Sequence, residues 1–411
     1  MQLISHLLNR FLYYTLLVII KIEKIFIDRI PGFTKKAVKK ILEKHDIRIG
    51  NDRPMDIKIN DERVYDAVVY HRVLGLGESY MKGWWDCDQL DEFSYRMCLR
   101  RGRVFQNALW RFIIKLNIKL YNYLVFDFDL LNLQSKSKSF EVGEKHYDRG
   151  NELFSAFLDP TLNYSCGYWR NASNLNQAQI DKMELISRKL KLKPGMKVLD
   201  IGCGWGGLCK YMAENYKVSV VGCTVSLEQA TYAKKLCSDF DIDIRLVDYR
   251  DINEKFDRIV SVGMFEHVGE KNYRVFFEVV NRCLVDDGIF LLHTIGINDP
   301  RVPLTDAFAH KYIFPNGILP YYRHITKYTE GLFVIEDWQN FGDDYSKTLM
   351  AWHSNFEKAW PSLKSKYGEE FYRMWRFYLL TASGAFRARR LHLWQVVFSK
   401  NGLLGGYRSE R

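Results

Sequence analysis

The amino-acid sequence predicts an α/β fold, in which a doubly wound, seven-stranded sheet is preceded by a smaller N-terminal domain. Short apolar runs of strand length alternate with helix-like segments through the second half of the chain. This alternation is typical of parallel sheets. In addition, Asp200 ends an apolar run and is followed by the glycine-rich stretch Gly202 to Gly207. Such a stretch is typical of the turn that binds a ligand at the edge of a parallel sheet.

The predicted strands and helices follow one another in a regular order. The first strand begins at Val198 and ends at Asp200, where the glycine-rich turn opens a helix. Six later strands are predicted at 218–224, 244–248, 257–262, 289–294, 333–335 and 393–398. Further helices are predicted at 226–240, 272–284, 348–367 and 369–381. Because the carboxyl ends of parallel strands meet at one edge of a sheet, the polar residues at these ends are expected to line one site.

The glycine-rich turn indicates a nucleotide cofactor. Its glycines give the pattern G-x-G-x-G, whereas the dinucleotide fingerprint is G-x-G-x-x-G with an acidic residue about 20 positions later. Gly207 also satisfies the wider spacing, so the glycines alone leave an NAD-dependent enzyme open. The next strand, however, ends at Thr224 rather than at an acid, and Asp200 instead precedes the first glycine. This arrangement favours the Rossmann-like fold of methyltransferases that use S-adenosylmethionine (SAM).

Length, composition and charge limit the remaining functions. A chain of 411 residues accommodates two domains, and a composition with 47% hydrophobic and 15% aromatic residues supplies a core and an apolar pocket. The net charge is +11, and the first 125 residues hold 22 Lys and Arg against 14 Asp and Glu. This excess predicts an anionic partner. The eight cysteines lack C-x-x-C spacing, so we expect free thiols in a reducing cytoplasm and no metal site.

The N-terminal segment is expected to lie on a membrane surface. Phe11 to Ile20 is an apolar run, but it is shorter than the roughly 20 residues that a membrane span requires. It is not followed by the small-residue cleavage site of a secretory signal. Cations mixed with bulky apolar residues, as in helices on anionic membranes, follow at Lys21, Lys24, Lys35, Lys36, Lys39 and Lys40. A helix packed on its own domain is an equally open interpretation.

A second basic and aromatic run lies at 100–113. It too could lie on an anionic membrane or pack on its own domain. Nucleic acid is not expected as a partner, because no nucleic-acid-binding motif accompanies the charge. The polar stretch from Gln134 to Ser139 is typical of a linker. We therefore predict an N-terminal domain that engages lipid at 1–125, a linker at 126–140 and a catalytic domain at 141–411.

Six sequence blocks in a fixed order carry a resemblance to a known family. They are His146-Tyr147-Asp148 with Gly150-Asn151, Asn163 to Trp169, the glycine-rich turn, Gly263 to Gly269, Lys311 to Gly317 and Gly384 to Arg389. From about residue 140 to the C-terminus, the chain closely resembles the cyclopropane-fatty-acyl-phospholipid synthase family. Members of this family transfer the methyl group of SAM to a cis double bond of a phospholipid acyl chain and close a three-membered ring. The resemblance therefore implies this activity, with an unsaturated phospholipid as substrate.

The resemblance also implies the residues of the site. For SAM it implies Tyr164, Ser165, Asp200, Gly202, Gly204, Thr224, Gln229 and Arg250. Thr224 and Gln229 are expected around the ribose and Arg250 beside the adenine. Ring closure requires a base that removes a proton from the transferred methyl group, and the family uses a bound bicarbonate. The matching catalytic residues are Cys166, Gly263, Glu266, His293, Ile295 and Tyr345. The resemblance further implies a cytoplasmic enzyme on the inner face of the membrane. It leaves open whether the enzyme is a homodimer.

Several site residues have a structural alternative. Glu266 could cap the helix that follows it, and His293 could be a core histidine with satisfied hydrogen bonds. Cys166 is interpreted as a small buried residue of the bicarbonate pocket and not as a nucleophile. The sequence also departs from the family shortly before the Gly384 block, where many members carry a cysteine and this chain reads Thr381-Ala382-Ser383. A thiol at that position is therefore not essential if the enzyme is active.

Three further alternatives stay open. Arg387, Arg389 and Arg390 could contact phospholipid head groups or another domain, or form salt bridges within the fold. A related lipid C-methyltransferase would methylate the same alkene but release a methyl-branched or hydroxylated product. A non-catalytic membrane-surface protein would explain the basic N-terminus but not the polar residues at the strand ends.

Overall fold

The computed structural model describes residues 32–50, 52–99, 134–136, 150–299 and 306–411. The apolar run Phe11 to Ile20, the basic run at 100–113 and the block His146-Tyr147-Asp148 lie outside these residues. The chain divides into two compact units. The first comprises residues 1–89 and 96–133, and the second comprises residues 90–95 and 134–411.

The described part of the first unit is a small α/β arrangement. Its elements are α1 (Phe33–Lys44), β1 (Lys58–Ile59), α2 (Arg63–Met81), β2 (Trp85–Asp86) and the last residues of α3 (Leu90–Leu99). The strand β1 pairs with β2 in antiparallel fashion. The helix α1 buries Val38 and Leu42 and exposes Lys36, Lys39 and Lys40. It therefore packs one face on its own unit and presents a basic face to solvent.

The second unit contains the predicted sheet. Its elements after the start of α3 are α4 (Asn151–Phe157), α5 (Leu175–Lys189), β3 (Lys197–Ile201), α6 (Gly207–Tyr216), β4 (Ser219–Thr224), α7 (Leu227–Leu236), β5 (Ile242–Leu246), β6 (Phe256–Val262), α8 (Tyr273–Cys283), β7 (Leu284–Gly296), α9 (Ala307–Tyr312), α10 (Tyr322–Thr329), β8 (Val334–Asn340), α11 (Asp343–Arg387) and β9 (His392–Ser399). The strand order is β5-β4-β3-β6-β7-β9-β8. Only β9 runs antiparallel to its neighbours. The doubly wound, seven-stranded fold predicted from the sequence is confirmed.

Two strands extend well beyond their predicted bounds because non-local pairing lengthens them. The strand β7 begins at Leu284, since Leu284 pairs with Phe256 before the register shift in β6. The strand β8 continues to Asn340, which pairs with Trp394 of β9. By contrast, the predicted break between the two C-terminal helices is present within α11 at Gly368, whose φ is 76° and ψ is 169°. A glycine adopts this conformation without the steric cost that a side chain would impose.

The sheet is buried on both faces, because alternate residues of each strand enter two separate apolar clusters. In β3, Leu199 packs in the cluster beneath α8 and α10, whereas Val198 packs in the cluster beneath α5, α6 and α7. The chain winds from β3 outwards to β5 and then returns to β6 on the other side of β3. The carboxyl ends of β3 and β6 therefore flank the switch point at which doubly wound sheets bind ligands.

None of the helices in the described ranges is long and apolar enough to cross a membrane. All eight cysteines are free, and all of them except Cys98 are buried.

Candidate cofactor and catalytic site

A pocket lies at the carboxyl ends of β3, β4 and β6. All eight residues predicted to bind the cofactor line it: Tyr164, Ser165, Asp200, Gly202, Gly204, Thr224, Gln229 and Arg250. Gly263 lines it as well, whereas the other five predicted catalytic residues do not. The structure thus brings the two predicted groups to neighbouring places rather than into one cavity.

The glycine-rich turn forms the floor of the pocket. Gly202, Gly204 and Gly206 all have positive φ, at 84°, 56° and 87°, in the left-handed region that favours glycine. A Cβ on Gly206 would lie 3.0 Å from Ala233 of α7, so this glycine permits helix packing. A Cβ on Gly204 would meet nothing within 4 Å. The open side of Gly204 therefore lets a ligand approach the backbone close to the start of α6.

Asp200 presents an unpartnered carboxylate oxygen in this pocket. Its side chain is buried, and Oδ2 accepts a hydrogen bond from Cys209 Sγ at 3.4 Å. No hydrogen-bond partner for Oδ1 is present among the described residues. Burial raises the pKa of Asp200 to about 7. A carboxyl group that is costly to ionise without a counter-charge is suited to a cationic ligand, and SAM carries both an ammonium and a sulfonium group.

The far wall of the pocket holds two hydrogen-bonded polar pairs. Thr224 Oγ1 donates to Gln229 Oε1 at 2.9 Å, which joins the end of β4 to the first turn of α7. Arg250 donates to Asp248 through Nε at 2.8 Å and Nη2 at 2.9 Å. This two-point contact holds the guanidinium plane in the pocket wall. Asp248 therefore positions Arg250, a role that the sequence analysis did not assign.

Lys182 of α5 is a second residue that the sequence analysis missed. It lines the pocket, and its Nζ donates to Asn163 Oδ1 and Ser165 Oγ, both at 2.9 Å. Burial lowers the pKa of Lys182 to about 8. One turn earlier, Gln179 Nε2 donates to the Ser165 carbonyl at 2.8 Å. The sequence signal that could have identified them is the spacing of Gln179 and Lys182, two polar residues three positions apart on the buried face of one helix.

Aromatic rings join the cofactor pocket to the predicted catalytic residues. Tyr164 lies 5.2 Å from Trp352, which in turn lies 6.0 Å from Tyr345, between ring centroids. The hydroxyl groups of Tyr164 and Tyr378 are 3.0 Å apart. We call the surrounding rings the aromatic cluster, which comprises Phe154, Phe157, Tyr164, Trp205, Phe314, Trp352, Trp375 and Tyr378.

Glu266 lies beyond β6 and contacts β7. Its Oε1 accepts a hydrogen bond from the Ile295 backbone N at 2.7 Å. Its buried Oε2 has no hydrogen-bond partner in the part of the chain that the structure describes. Burial raises the pKa of Glu266 to about 7. Neither the short 3-10 helix at 270–272 nor α8, which follow Glu266, has a side-chain cap, so the helix-cap interpretation of Glu266 is wrong.

His293 lies two residues before Ile295 on β7. Its Nδ1 is 3.2 Å from Gln395 Nε2, and its carbonyl accepts from the Gly263 backbone N at 2.9 Å. His293 is 1% exposed, and its Nε2 has no partner within the described ranges. Burial lowers the pKa of His293, so the imidazole is neutral at physiological pH. Only one of its ring nitrogens is satisfied, unlike in a core histidine with both nitrogens paired.

Cys166 and Tyr345 lie on different elements. Cys166 precedes α5, and its fully buried Sγ is 3.8 Å from Thr348 Oγ1, one helical turn after Tyr345 in α11. Burial raises the pKa of Cys166, so this group is a thiol and not a nucleophilic thiolate. The ring of Tyr345 stacks on Phe386, near the other end of α11, at 4.5 Å. The first contact holds the segment before α5 against the start of α11, and the second packs the two ends of α11 together.

The Gly384 block stabilises this region from within the fold. Arg387 forms ion pairs with Asp91 at 3.4 Å and Glu92 at 2.6 Å, and Arg390 lies 3.8 Å from Asp299. Of the alternatives considered for these arginines, Arg387 and Arg390 therefore form salt bridges within the fold, whereas Arg389 is exposed. In the stretch where the sequence departs from the family, Ser383 Oγ is 2.9 Å from Ser346 Oγ in a buried pair.

Comparison with known proteins decides the family. The family model described as mycolic acid cyclopropane synthetase matches residues 134–396. The chain belongs to this family. Cyclopropane-fatty-acyl-phospholipid synthase from Escherichia coli is 50% identical to it over 376 residues, which cover 92% of this chain and 96% of that protein. Membership in a family of SAM-dependent methyltransferases excludes the NAD-dependent alternative.

Solved structures agree with this assignment. The cyclopropane synthase MmaA2 from Mycobacterium tuberculosis matches with a TM-score of 0.61 and 33% identity, over 64% of this chain and 98% of that one. Mycolic acid cyclopropane synthase CmaA1, in a complex with SAH and CTAB, matches with a TM-score of 0.60 and 34% identity, over the same shares of 64% and 98%. The methyltransferase fold of the cyclopropane synthases is therefore present here.

The glycine-rich turn of this cyclopropane synthase family member provides a first test. We expect Gly204→Val to abolish SAM binding while the protein still folds, because the added side chain fills space that the cofactor needs. Gly331 also has positive φ and open space around its Cβ but lies away from the pocket, so Gly331→Val is the matched control. Each substitution should cost about 1–2 kcal/mol of backbone strain. Titration calorimetry with SAM should show binding to the control alone, and retained affinity in Gly204→Val would refute the assignment.

The buried carboxyl of Asp200 provides a second test. Its folded pKa of about 7 lies above the ordinary 3.8, so it stabilises the fold at low pH and loses that contribution as pH rises towards 7. We expect Asp200→Asn to be more stable than the wild type in ligand-free protein near pH 8, with a smaller difference near pH 5. Its affinity for SAM should fall, since the anionic oxygen is lost. Denaturant titrations at both pH values check this, with the exposed Asp239→Asn as control. A stability difference that does not vary with pH would contradict it.

Proposed function

We propose that this protein transfers the methyl group of SAM to the cis double bond of unsaturated acyl chains in membrane phospholipids and closes a cyclopropane ring, with a bound bicarbonate as general base. The observation that carries the proposal is a pair of buried polar atoms, Glu266 Oε2 and His293 Nε2, that have no partner among the described residues. They lie next to a pocket that fits SAM. The 50% identity to the Escherichia coli synthase supports the same reaction.

The unpartnered atoms suit bicarbonate because that ion both donates and accepts hydrogen bonds. A buried polar group without a partner costs roughly 1–3 kcal/mol, so such a group in a native site points to a missing ligand. Glu266 Oε2 would accept a hydrogen bond from the hydroxyl of the ion, and the N–H group at Nε2 of the neutral His293 ring would donate to one of its oxygens. The Ile295 amide, which the resemblance also implies for this site, donates to Glu266 Oε1 in the structure.

The aromatic cluster is suited to the methyl transfer. An alkene is a weak nucleophile, so the protein must hold it in line with the sulfonium and exclude water. The faces of Tyr164 and Trp352 attract positive charge without offering a lone pair that would trap the cationic acyl chain. Because Tyr345 contacts Trp352, the same rings lead from the cofactor pocket to the proposed base site.

Ring closure follows when the cationic chain loses a proton from the transferred methyl group and the freed electron pair forms the third ring bond. Bound bicarbonate would supply the base for this proton. The buried Glu266 and the neutral His293 would orient the base through Glu266 Oε2 and His293 Nε2, and Cys166 and Tyr345 are the further side chains that the resemblance implies for holding it. A related C-methyltransferase would instead release a methyl-branched or hydroxylated product. The unpartnered atoms Glu266 Oε2 and His293 Nε2 favour proton removal, and with it the cyclopropane.

We also propose that the protein acts as a peripheral enzyme on the cytoplasmic face of an anionic membrane. The exposed lysines of α1 support this, since they form a basic face on a helix that packs its apolar residues inwards. Each lysine near an anionic surface is worth about 1 kcal/mol, and salt weakens the attraction.

Glu266 provides the test of the base site. We expect Glu266→Gln to lower turnover about 10- to 100-fold while its affinity for SAM stays near that of the wild type. The reason is that the lost contact acts on the bound base and not on the cofactor. Added bicarbonate should restore part of the turnover, because occupancy of a weakened site depends on concentration. The measurement is turnover on unsaturated phospholipid vesicles at low and high bicarbonate.

The control for this experiment is Glu214→Gln, which changes an exposed carboxylate on α6. A purely structural role for Glu266 would lower thermal stability but preserve turnover per folded molecule. Wild-type turnover of Glu266→Gln at low bicarbonate would contradict the proposal and leave His293 or Tyr345 as the group that controls proton removal.

The basic face of α1 provides a further test. We expect the triple variant Lys36→Gln, Lys39→Gln and Lys40→Gln to bind anionic vesicles at least about 10-fold more weakly, since it removes three surface charges. Vesicle co-sedimentation at low salt measures this difference, which should shrink as salt rises. The matched control replaces Lys193, Lys234 and Lys235, which are exposed on the second unit, by glutamine. Equal loss of binding in both variants would show that net charge, and not α1, attracts the membrane.

A further inference from the structure

Gln395 of β9 lies at the centre of a row of polar side chains that crosses three strands. His293 of β7 is directly opposite Gln395, and Gln395 is directly opposite Gln339 of β8. Opposed residues of antiparallel strands point to the same face of the sheet. His293, Gln395 and Gln339 are all buried. The row therefore leads from the proposed base site through the sheet to its outer strand.

A buried lysine lies at the other end of the row. Lys189 Nζ donates to Gln339 Oε1 at 2.5 Å and lies 3.9 Å from Asp337 Oδ2. Burial lowers the pKa of Lys189 to about 7. In this contact the oxygen of the Gln339 amide faces Lys189.

The contact at the His293 end does not depend on Lys189, because Gln395 Oε1 accepts no hydrogen bond from Gln339 or any other described residue. The NH2 group of Gln395 lies 3.2 Å from His293 Nδ1. If this amide donates, Nδ1 is the acceptor and the single proton of the neutral imidazole is on Nε2. In the reversed amide, Gln395 Oε1 would accept from Nδ1 and the Nε2 lone pair would face the base site. A lone pair repels an anion, whereas an N–H group attracts it.

We propose that Gln395 is a positioning residue that holds His293 in the tautomer with its proton on Nε2. The inference rests on the proposed function, in which Nε2 faces the bicarbonate. Gln395 touches neither substrate nor base, and it acts only by fixing which nitrogen of His293 donates. Partners of this kind commonly set the tautomer of a histidine at a functional site.

The tautomer itself can be measured without turnover. In the full-length protein labelled with 15N-histidine, the ring signals of His293 are identified by their loss in His293→Asn. We expect the chemical shifts of a neutral ring protonated at Nε2 near pH 7.5 in the absence of substrate. A ring protonated at Nδ1 would overturn the proposal. Because no reaction is needed, this result stands apart from the proposed function, whose own failure would appear as unchanged turnover in His293→Asn.

A substitution then tests the role of Gln395. Gln395→Met keeps the length of the side chain and removes the donor. We expect His293 to gain a population protonated at Nδ1 and the bicarbonate concentration for half-maximal turnover to rise about 10- to 100-fold, with SAM affinity retained. The control Val396→Ala removes a buried side chain from the opposite face of β9 and should change neither the tautomer nor the bicarbonate dependence.

If Gln395→Met keeps both the wild-type tautomer and the wild-type bicarbonate dependence, Gln395 is only a packing residue and the proposal is wrong. If the variant does not fold, a wild-type His293 ring protonated at Nδ1 would still overturn the proposal.

Discussion

The register of β7 between β6 and β9 is the constraint on which both halves of the site depend. His293 pairs with Val262 on one side and with Gln395 on the other. The first pairing continues into the hydrogen bond from the Gly263 backbone N to the His293 carbonyl, at the edge of the cofactor pocket. A shift of one residue in a strand would turn His293 to the opposite face and move Ile295 away from Glu266. Close packing on both faces of the sheet excludes that shift.

The site is built at a cost to the ligand-free protein. Asp200, Glu266 and His293 each bury a polar atom that has no partner among the residues described. Burial raises the pKa of both carboxyl groups to about 7 and lowers the pKa of the imidazole. Each group disfavours its charged form until a ligand arrives with the complementary charge or hydrogen bond. The surrounding aromatic and aliphatic packing keeps these groups buried.

Much of the fold and of the cofactor pocket could be predicted from the sequence because their signals are local. The glycine-rich turn, the acid before it and Thr224 lie in short motifs, and the break at Gly368 is marked by one residue. Lys182 and Gln395 were not predicted to belong to the site, and the contact of Asp248 with Arg250 was not predicted. Lys182 and Gln395 act on residues that lie more than 15 positions away in sequence, through pairings that only the tertiary structure reveals. The early start of β7 at Leu284 was missed for the same reason, since only its partner Phe256 makes it a strand.

The central claim is that this site removes a proton from the transferred methyl group and so closes a ring. It is tested most directly with SAM whose methyl group carries three deuterons, incubated with the protein and unsaturated phospholipid vesicles, followed by mass spectrometry of the acyl chains. Ring closure loses one deuteron to the base, so the account predicts a cyclopropane product that keeps two. A product that keeps all three deuterons, in a methyl branch, would contradict it.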